Sequence, residues 1–77
     1  MEHHPFRFQR RHAELLVAVA DTGSMHKAAQ RLGIAQPAVS RVLAELEKAV
    51  GARLLERTAV GSALTPRGRA LVAQARA

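Results

Sequence analysis

The sequence has no cysteine, no tryptophan and no tyrosine, and only two phenylalanines. Without cysteine, disulfide staples and thiolate chemistry are excluded, and nothing bars a reducing cytoplasm. Aromatics are 3% of a chain that is 48% apolar, so the core must be built mostly from Leu, Val and Ala. Stacking on RNA bases has little to work with, because only Phe6 and Phe8 could stack and both precede the periodic part of the chain. No apolar run reaches 18 residues, so no membrane span is expected. The start, "MEHHPFRFQRRH", lacks the apolar stretch of a secretory signal.

Acidic residues are also scarce. Twelve basic residues face six acidic ones, for a net charge of +6 and a pI near 11.6. Such an excess points to nucleic acid, an anionic membrane or an acidic partner. Ten of the twelve cations are Arg, whose planar fork suits bidentate contacts to phosphate and guanine. A membrane surface fits poorly, because no helix pairs a bulky apolar face with a Lys/Arg-rich one.

What is abundant is alanine, with sixteen residues favouring helix in a chain long enough for one small domain. Residues 1–8 read as an arm. In "RHAELLVAVAD", Ala13, Leu16, Val17 and Ala20 fall on one helical stripe, and Gly23 ends the segment. "SMHKAAQRLG" follows. Ser24 can cap it, Met25, Ala28, Ala29 and Leu32 repeat the stripe, and Gly33 closes it. A third helix starts near Gln36, with Pro37 in its first turn, where a missing N–H costs nothing. Val39, Val42, Leu43, Leu46 and Val50 form its buried stripe, and Gly51 ends it. Two short runs near 53–57 and 62–65 flank a turn at Val60-Gly61-Ser62 and predict a hairpin. Thr65 and Pro66 then start a last helix that runs to the end of the chain without a stop signal.

Two short helices joined at Gly33-Ile34-Ala35 make a helix-turn-helix. The second helix shows Gln36, Pro37, Ser40 and Arg41 on the edge opposite its buried stripe. Such an edge fits the DNA major groove, where Gln pairs bidentately with adenine, Arg with guanine, and Pro rests on a thymine methyl. Ser40 is shorter and suits phosphate or water. Lys27 and Arg31, on the preceding helix, are expected at the DNA backbone. Arg57 has two readings of equal weight: a phosphate contact, or a pair with an acid that holds the hairpin.

The stretch "LLVAVADTGSMHKAAQRLGIAQPAVSRVLAELEKAVGARLLERTAVGSALTPRGRAL" resembles the N-terminal domain of the LysR-type transcriptional regulators. The resemblance rests on "GS" before "KAAQRL", then "AQPAVSR", "LE", "G.RLLER" and "LTP.G". It implies a mainly α winged helix-turn-helix, with a three-helix core and a β-hairpin wing, over residues 9–65. The helix-turn-helix lies at about 25–44 and the wing at about 53–65. Residues 66–77 begin a linker helix that pairs protomers; its apolar strip of Leu71, Val72 and Ala75 has the spacing of core, of a dimer seam, or of both. Gln36, Pro37, Ser40 and Arg41 are then the groove-facing residues, while Ser24, His26 and Lys27 approach the backbone. The implied function is sequence-specific binding of an inverted-repeat operator in the bacterial cytoplasm, at the nucleoid. The implied partners are a homodimer, a tetramer of the full-length protein, and RNA polymerase. No cofactor is expected in this chain; a small-molecule effector would belong to a C-terminal domain that is absent here, and the chain reads as a fragment. Two further departures stand out. Ala35 replaces a Ser common in relatives, and the wing tip "TAVGSAL" lacks the arginines many relatives carry.

Rival functions have less behind them. Asp21, Ser24 and His26 suggest a catalytic relay, but they flank a helix start, where capping accounts for Asp21 and Ser24; an enzyme is not expected. The four histidines have no Cys partner and no H-x-x-x-H spacing, which argues against a metal site. A helical protein-interaction module without DNA readout is the stronger rival. Steep salt dependence of duplex binding separates the two.

Overall fold

The computed structural model describes residues 7–76, apart from the side chain of Ala75. Four helices and one hairpin follow in the order α1 (Arg10–Thr22), α2 (Met25–Leu32), α3 (Gln36–Val50), β1 (Leu55–Thr58), β2 (Gly61–Leu64) and α4 (Pro66–Arg76). The strands are antiparallel, with Arg57 opposite Ser62 and Thr58 opposite Gly61. This is the winged helix-turn-helix expected from the sequence, with α2 and α3 as its two arms.

Helix α1 is the centre of the packing. It touches α2, α3, α4 and β2. It buries Leu15, Leu16, Ala18 and Val19 against Ala28 and Ala29 of α2, Val39, Leu43 and Leu46 of α3, and Leu54, Leu55, Leu64 and Val72. The expected stripe of Ala13, Leu16, Val17 and Ala20 is therefore wrong in phase. Ala20 is exposed, and Ala13 and Val17 are half-buried. "LLVAVA" is apolar at six successive positions, so periodicity cannot choose a face, and contact on several sides decides it.

Two close approaches bring the hairpin and α4 in. The Ser62 N–H donates to the Gly23 carbonyl at 2.9 Å, which ties β2 to the turn between α1 and α2. A Cβ on Gly61 would collide with that same carbonyl oxygen, and Gly61 also has a φ of 147°. On the other side, Gly68 lets α4 lie against the Leu54 carbonyl, where a Cβ would have no room. Thr65 caps α4 as expected: its Oγ1 accepts from the Gly68 N–H at 3.1 Å and donates to the Arg53 carbonyl at 2.6 Å.

The hairpin differs from its sequence reading in register. Its loop is Ala59-Val60, with the Val60 N–H donating to Thr58 Oγ1 at 3.3 Å, rather than Val60-Gly61-Ser62. Gly61 is needed in the strand for the approach to Gly23, so it is not at the tip. β1 starts at Leu55 because the N–H groups of Leu54 and Leu55 both donate to the Glu47 carboxylate.

Two further expectations become more definite. Val72 is 8% exposed and belongs to the core, and Leu71 is half-buried against it. The core reading of the apolar strip thus holds for Val72, chiefly through the contact of α4 with α1. The Ala75 side chain lies outside the described residues. The arm boundary at residue 8 is also too late. Phe8 packs on the core and stacks on His12, with ring centroids 5.9 Å apart. Residues 1–6 of the arm, with His3, His4 and Phe6, lie outside the described residues.

His12 is the one polar side chain buried among the described residues, at 3% exposure. Its Nδ1 accepts from the Gln9 N–H at 2.9 Å, at the start of α1. Burial holds its pKa below the usual 6.5; Arg11 reinforces the shift and Glu45 opposes it. The unfolded chain therefore takes up this proton first as pH falls. The stability linked to His12 is complete above its ordinary pKa and is lost as pH drops towards the lowered folded-state value. Thermal unfolding at about pH 5 should occur at a lower temperature than at about pH 7.5. His12→Gln should flatten that difference, and an unchanged pH profile would show that His12 does not carry it.

Candidate nucleic-acid interface

The turn between α2 and α3 is made by backbone bonds. The Gly33 N–H donates to Gln30 O at 3.2 Å and the Ile34 N–H to Ala29 O at 3.0 Å. Helix α2 starts on Ser24, whose Oγ accepts from the Lys27 N–H at 3.2 Å. Helix α3 starts on Ala35, which has extended backbone and no side-chain cap, with Pro37 in the first turn.

At 100° per residue, Gln36, Pro37, Ser40, Arg41 and Ala44 span an arc of about 140° on α3. The buried Val39, Leu43 and Leu46 lie outside that arc, on its Gln36 side, with Leu43 about 20° from Gln36 around the axis. Gln36, Pro37, Arg41 and Ala44 are exposed, and Ser40 is half-buried. The expected polar edge is thus a continuous outward surface on a helix held from behind.

The start of α3 faces the hairpin across a groove of about 180 Å³, lined by Ser24, Met25, His26, Gln36, Arg57, Gly61 and Ser62. Four of the residues singled out in the sequence, Ser24, His26, Gln36 and Arg57, meet there from three separate segments. The first-turn N–H groups of α2 and α3 open at this end, which adds the positive ends of two helix dipoles.

The cations divide by partner. Lys27, Arg41 and Arg57 are exposed and have no acidic partner among the described residues. Arg31 instead lies 3.6 Å from Asp21 Oδ2, and Arg76 lies 3.0 Å from Asp21 Oδ1. Lys27 and Arg31 are therefore not equivalent, although helical spacing puts them on one face. The two readings of Arg57 also separate, since the arginine paired at the hairpin is Arg53, 3.6 Å from Glu47 Oε2. Strand alternation turns Glu56 to the face opposite Arg57.

Asp21, Ser24 and His26 do not form a relay. The Ser24 hydroxyl caps α2, and the Asp21 carboxylate serves two arginines rather than capping a helix. Among the described residues, no group of three His, Cys, Asp or Glu is placed to hold a metal ion, and no helix is long and apolar enough to cross a membrane. Sequence reasoning missed Glu47, whose carboxylate accepts from the Leu54 and Leu55 N–H groups at the base of the hairpin. It showed only as part of "LE", and its role needs the hairpin in place.

Comparison with known proteins agrees with this geometry. Residues 10–69 match the model of the bacterial regulatory helix-turn-helix proteins of the lysR family. The chain is 47% identical over 66 residues to the small neutral protease regulatory protein of Streptomyces coelicolor, covering 86% of this chain and 20% of that protein. It is 48% identical over 59 residues to the uncharacterized HTH-type transcriptional regulator YdcI of Escherichia coli, covering 77% of this chain and 19% of that one. The chain thus spans about a fifth of the length of these curated relatives. Among solved structures, the CbnR DBD–DNA complex superposes with a TM-score of 0.82 at 39% identity, over 90% of this chain and 79% of that one. The complex of the BenM DBD with catB site 1 DNA also gives 0.82 at 39% identity, over 90% and 78%.

The uncapped start of α3 yields a stability prediction. Ala35 is exposed with backbone suited to a cap. Ala35→Ser should therefore stabilise the fold by about 1 kcal/mol, and Ser24→Ala should destabilise it by a similar amount. Thermal unfolding should show opposite shifts of roughly 4–8 °C. No rise for Ala35→Ser would mean that the new hydroxyl does not reach the open N–H groups.

Proposed function

The chain belongs to the lysR family of bacterial regulatory helix-turn-helix proteins, and from that premise we propose that it binds double-stranded DNA sequence-specifically, with α3 in the major groove. The observation that carries this reading is the outward edge of α3 beside the groove that joins Ser24, His26, Gln36 and Arg57. The DNA complexes of the CbnR and BenM domains support it by likeness.

Gln36 and Arg41 are long enough to read base edges, and Pro37 supplies a rigid apolar contact for a thymine methyl. Ser40 meets phosphate or a bridging water. Ser24, His26, Lys27 and Arg57 take the backbone. Arg31 joins them only by leaving Asp21. The chain acts as a binding module without catalysis.

The remaining roles concern the whole protein. We place it in the bacterial cytoplasm, regulating transcription as a homodimer or a tetramer, with RNA polymerase as a partner and an effector-binding domain beyond this chain. Pairing of two copies through α4 would put two α3 helices on one face of the duplex, over an inverted repeat. Because Val72 is in the core, that pairing must rest on the exposed side of α4, so isolated copies should associate weakly.

Sites selected from random duplex, followed by titration at several salt concentrations, test the reading. Gln36→Ala or Arg41→Ala should cost about 1–3 kcal/mol on the selected site and much less on random duplex. Lys27→Ala should weaken all sequences together and lower the salt slope by roughly 0.9. An interaction module would show neither effect. If Gln36→Ala and Arg41→Ala leave both the selected sequence and its affinity unchanged, α3 does not read DNA.

The wing gives a separate expectation. Val60 is 94% exposed at an uncharged tip. Val60→Arg should tighten binding and steepen the salt slope by roughly 0.9 if the tip reaches phosphate. An unchanged slope would place the tip away from the duplex.

A further inference from the structure

Glu47 lines a groove with Ser40, Ala44, Arg53 and Leu55, beside the proposed DNA face. It follows Gln36 by eleven residues, roughly 16 Å along α3 and within about 20° of it around the axis. A carboxylate on that side repels phosphate, so its presence calls for a reason.

Its contacts supply one. Glu47 Oε2 accepts from the Leu54 N–H at 2.7 Å and from the Leu55 N–H at 3.2 Å, and lies 3.6 Å from Arg53 Nε. Those two N–H groups open β1. Arg53 in turn donates to the Leu55 carbonyl at 3.2 Å, which closes a ring of contacts at the base of the strand. Leu55 and Arg57 share one face of β1 by strand alternation. Leu55 is buried, and Arg57 projects beside Gln36 in the groove. Another tether on this hairpin is the Ser62 N–H on the Gly23 carbonyl, directly across from Arg57 in the strand register. Arg57 is therefore held between two fixed points, and one of them is a side chain of α3 itself.

We propose that Glu47 is a positioning residue for DNA binding: it touches no DNA, and it sets where the Arg57 guanidinium stands relative to the Gln36–Arg41 edge. The proposal rests on the reading of α3 and the hairpin as the DNA face. It makes the hairpin's phosphate contact depend on the helix that reads the bases, so the two are placed as one unit.

Positioning and plain electrostatics predict opposite signs. Removing a carboxylate beside DNA should strengthen binding if charge is all that matters. Loss of positioning should weaken it. In a double-mutant cycle on the selected duplex, Arg57→Ala should weaken binding roughly tenfold and lower the salt slope by roughly 0.9. Glu47→Ala should do the same, and Arg57→Ala should add little in that background. Glu47→Gln keeps an acceptor for the two N–H groups but loses the pair with Arg53, so it should fall between. It also serves if Glu47→Ala fails to keep the helical circular-dichroism signal. Tighter binding by either Glu47 variant, or an Arg57→Ala effect of equal size with and without Glu47, overturns the proposal while leaving DNA binding intact. A wild-type chain with no salt-dependent duplex binding would overturn the DNA reading first, and this proposal with it.

Discussion

With almost no aromatic side chains to fill space, this fold holds its parts together by bringing backbone against backbone. Leu, Val and Ala give a thin core, so α2 must sit close to α1, and it does so on Ala28 and Ala29. The hairpin meets the turn between α1 and α2 through the Gly23 carbonyl, and α4 meets the hairpin through the Leu54 carbonyl. Each approach leaves no room for a Cβ at the glycine involved. The polar edge of α3 is a by-product of this economy of volume. A helix buried on one arc against small residues leaves the other arc clear for a groove of DNA.

Charge is arranged by the same logic. Of the acids that could neutralise the proposed DNA face, Asp21 is turned towards Arg31 and Arg76, and Glu47 is surrounded by two N–H groups and Arg53. Exposed pairs of this kind add little to stability, about 0–1 kcal/mol each. Their effect is on the map of charge: Lys27, Arg41 and Arg57 are left without acidic partners, and all three lie on the elements that frame the α3 edge. A net charge of +6 says only that the chain favours polyanions; the distribution adds that cations without acidic partners among the described residues flank the α3 edge, while others of that kind, Arg11, Lys48, Arg67 and Arg69, lie elsewhere on the surface.

The helix-turn-helix was legible in the sequence because its signals are local. A cap at Ser24, a stop at Gly33 and a proline in the first turn of α3 each act within a few residues. The outward edge of α3 followed from its period, because Val39, Leu43 and Leu46 fall within about 60° of one another and outside the arc of Gln36, Ser40 and Arg41. Legibility ended where structure depends on distant partners. The apolar run from Leu15 to Ala20 offers no phase, and only the surrounding elements choose it. Val72 stayed open between core and dimer seam because nothing local shows that α4 folds back onto α1. Arg31 looked like Lys27 because Asp21, ten residues earlier, is not visible as its neighbour. Glu47 was part of a recognisable dipeptide, but a carboxylate bound to two backbone N–H groups has no sequence signature.

The Leu54 peptide shows how far this sharing goes. Its N–H is held by Glu47 of α3, and its carbonyl accepts from the Thr65 N–H at 3.0 Å while Gly68 of α4 rests against it. Thr65 also binds the neighbouring Arg53 carbonyl and caps α4. The helix with the outward polar edge, the base of the hairpin and the start of the last helix therefore converge on one peptide unit. A chain with larger side chains could orient these three elements through separate patches of core. Here the direction of α4 and the placing of the hairpin are set at the same point. Neither can shift far without breaking a hydrogen bond that the other also needs, and a buried bond left unmade costs about 1–3 kcal/mol.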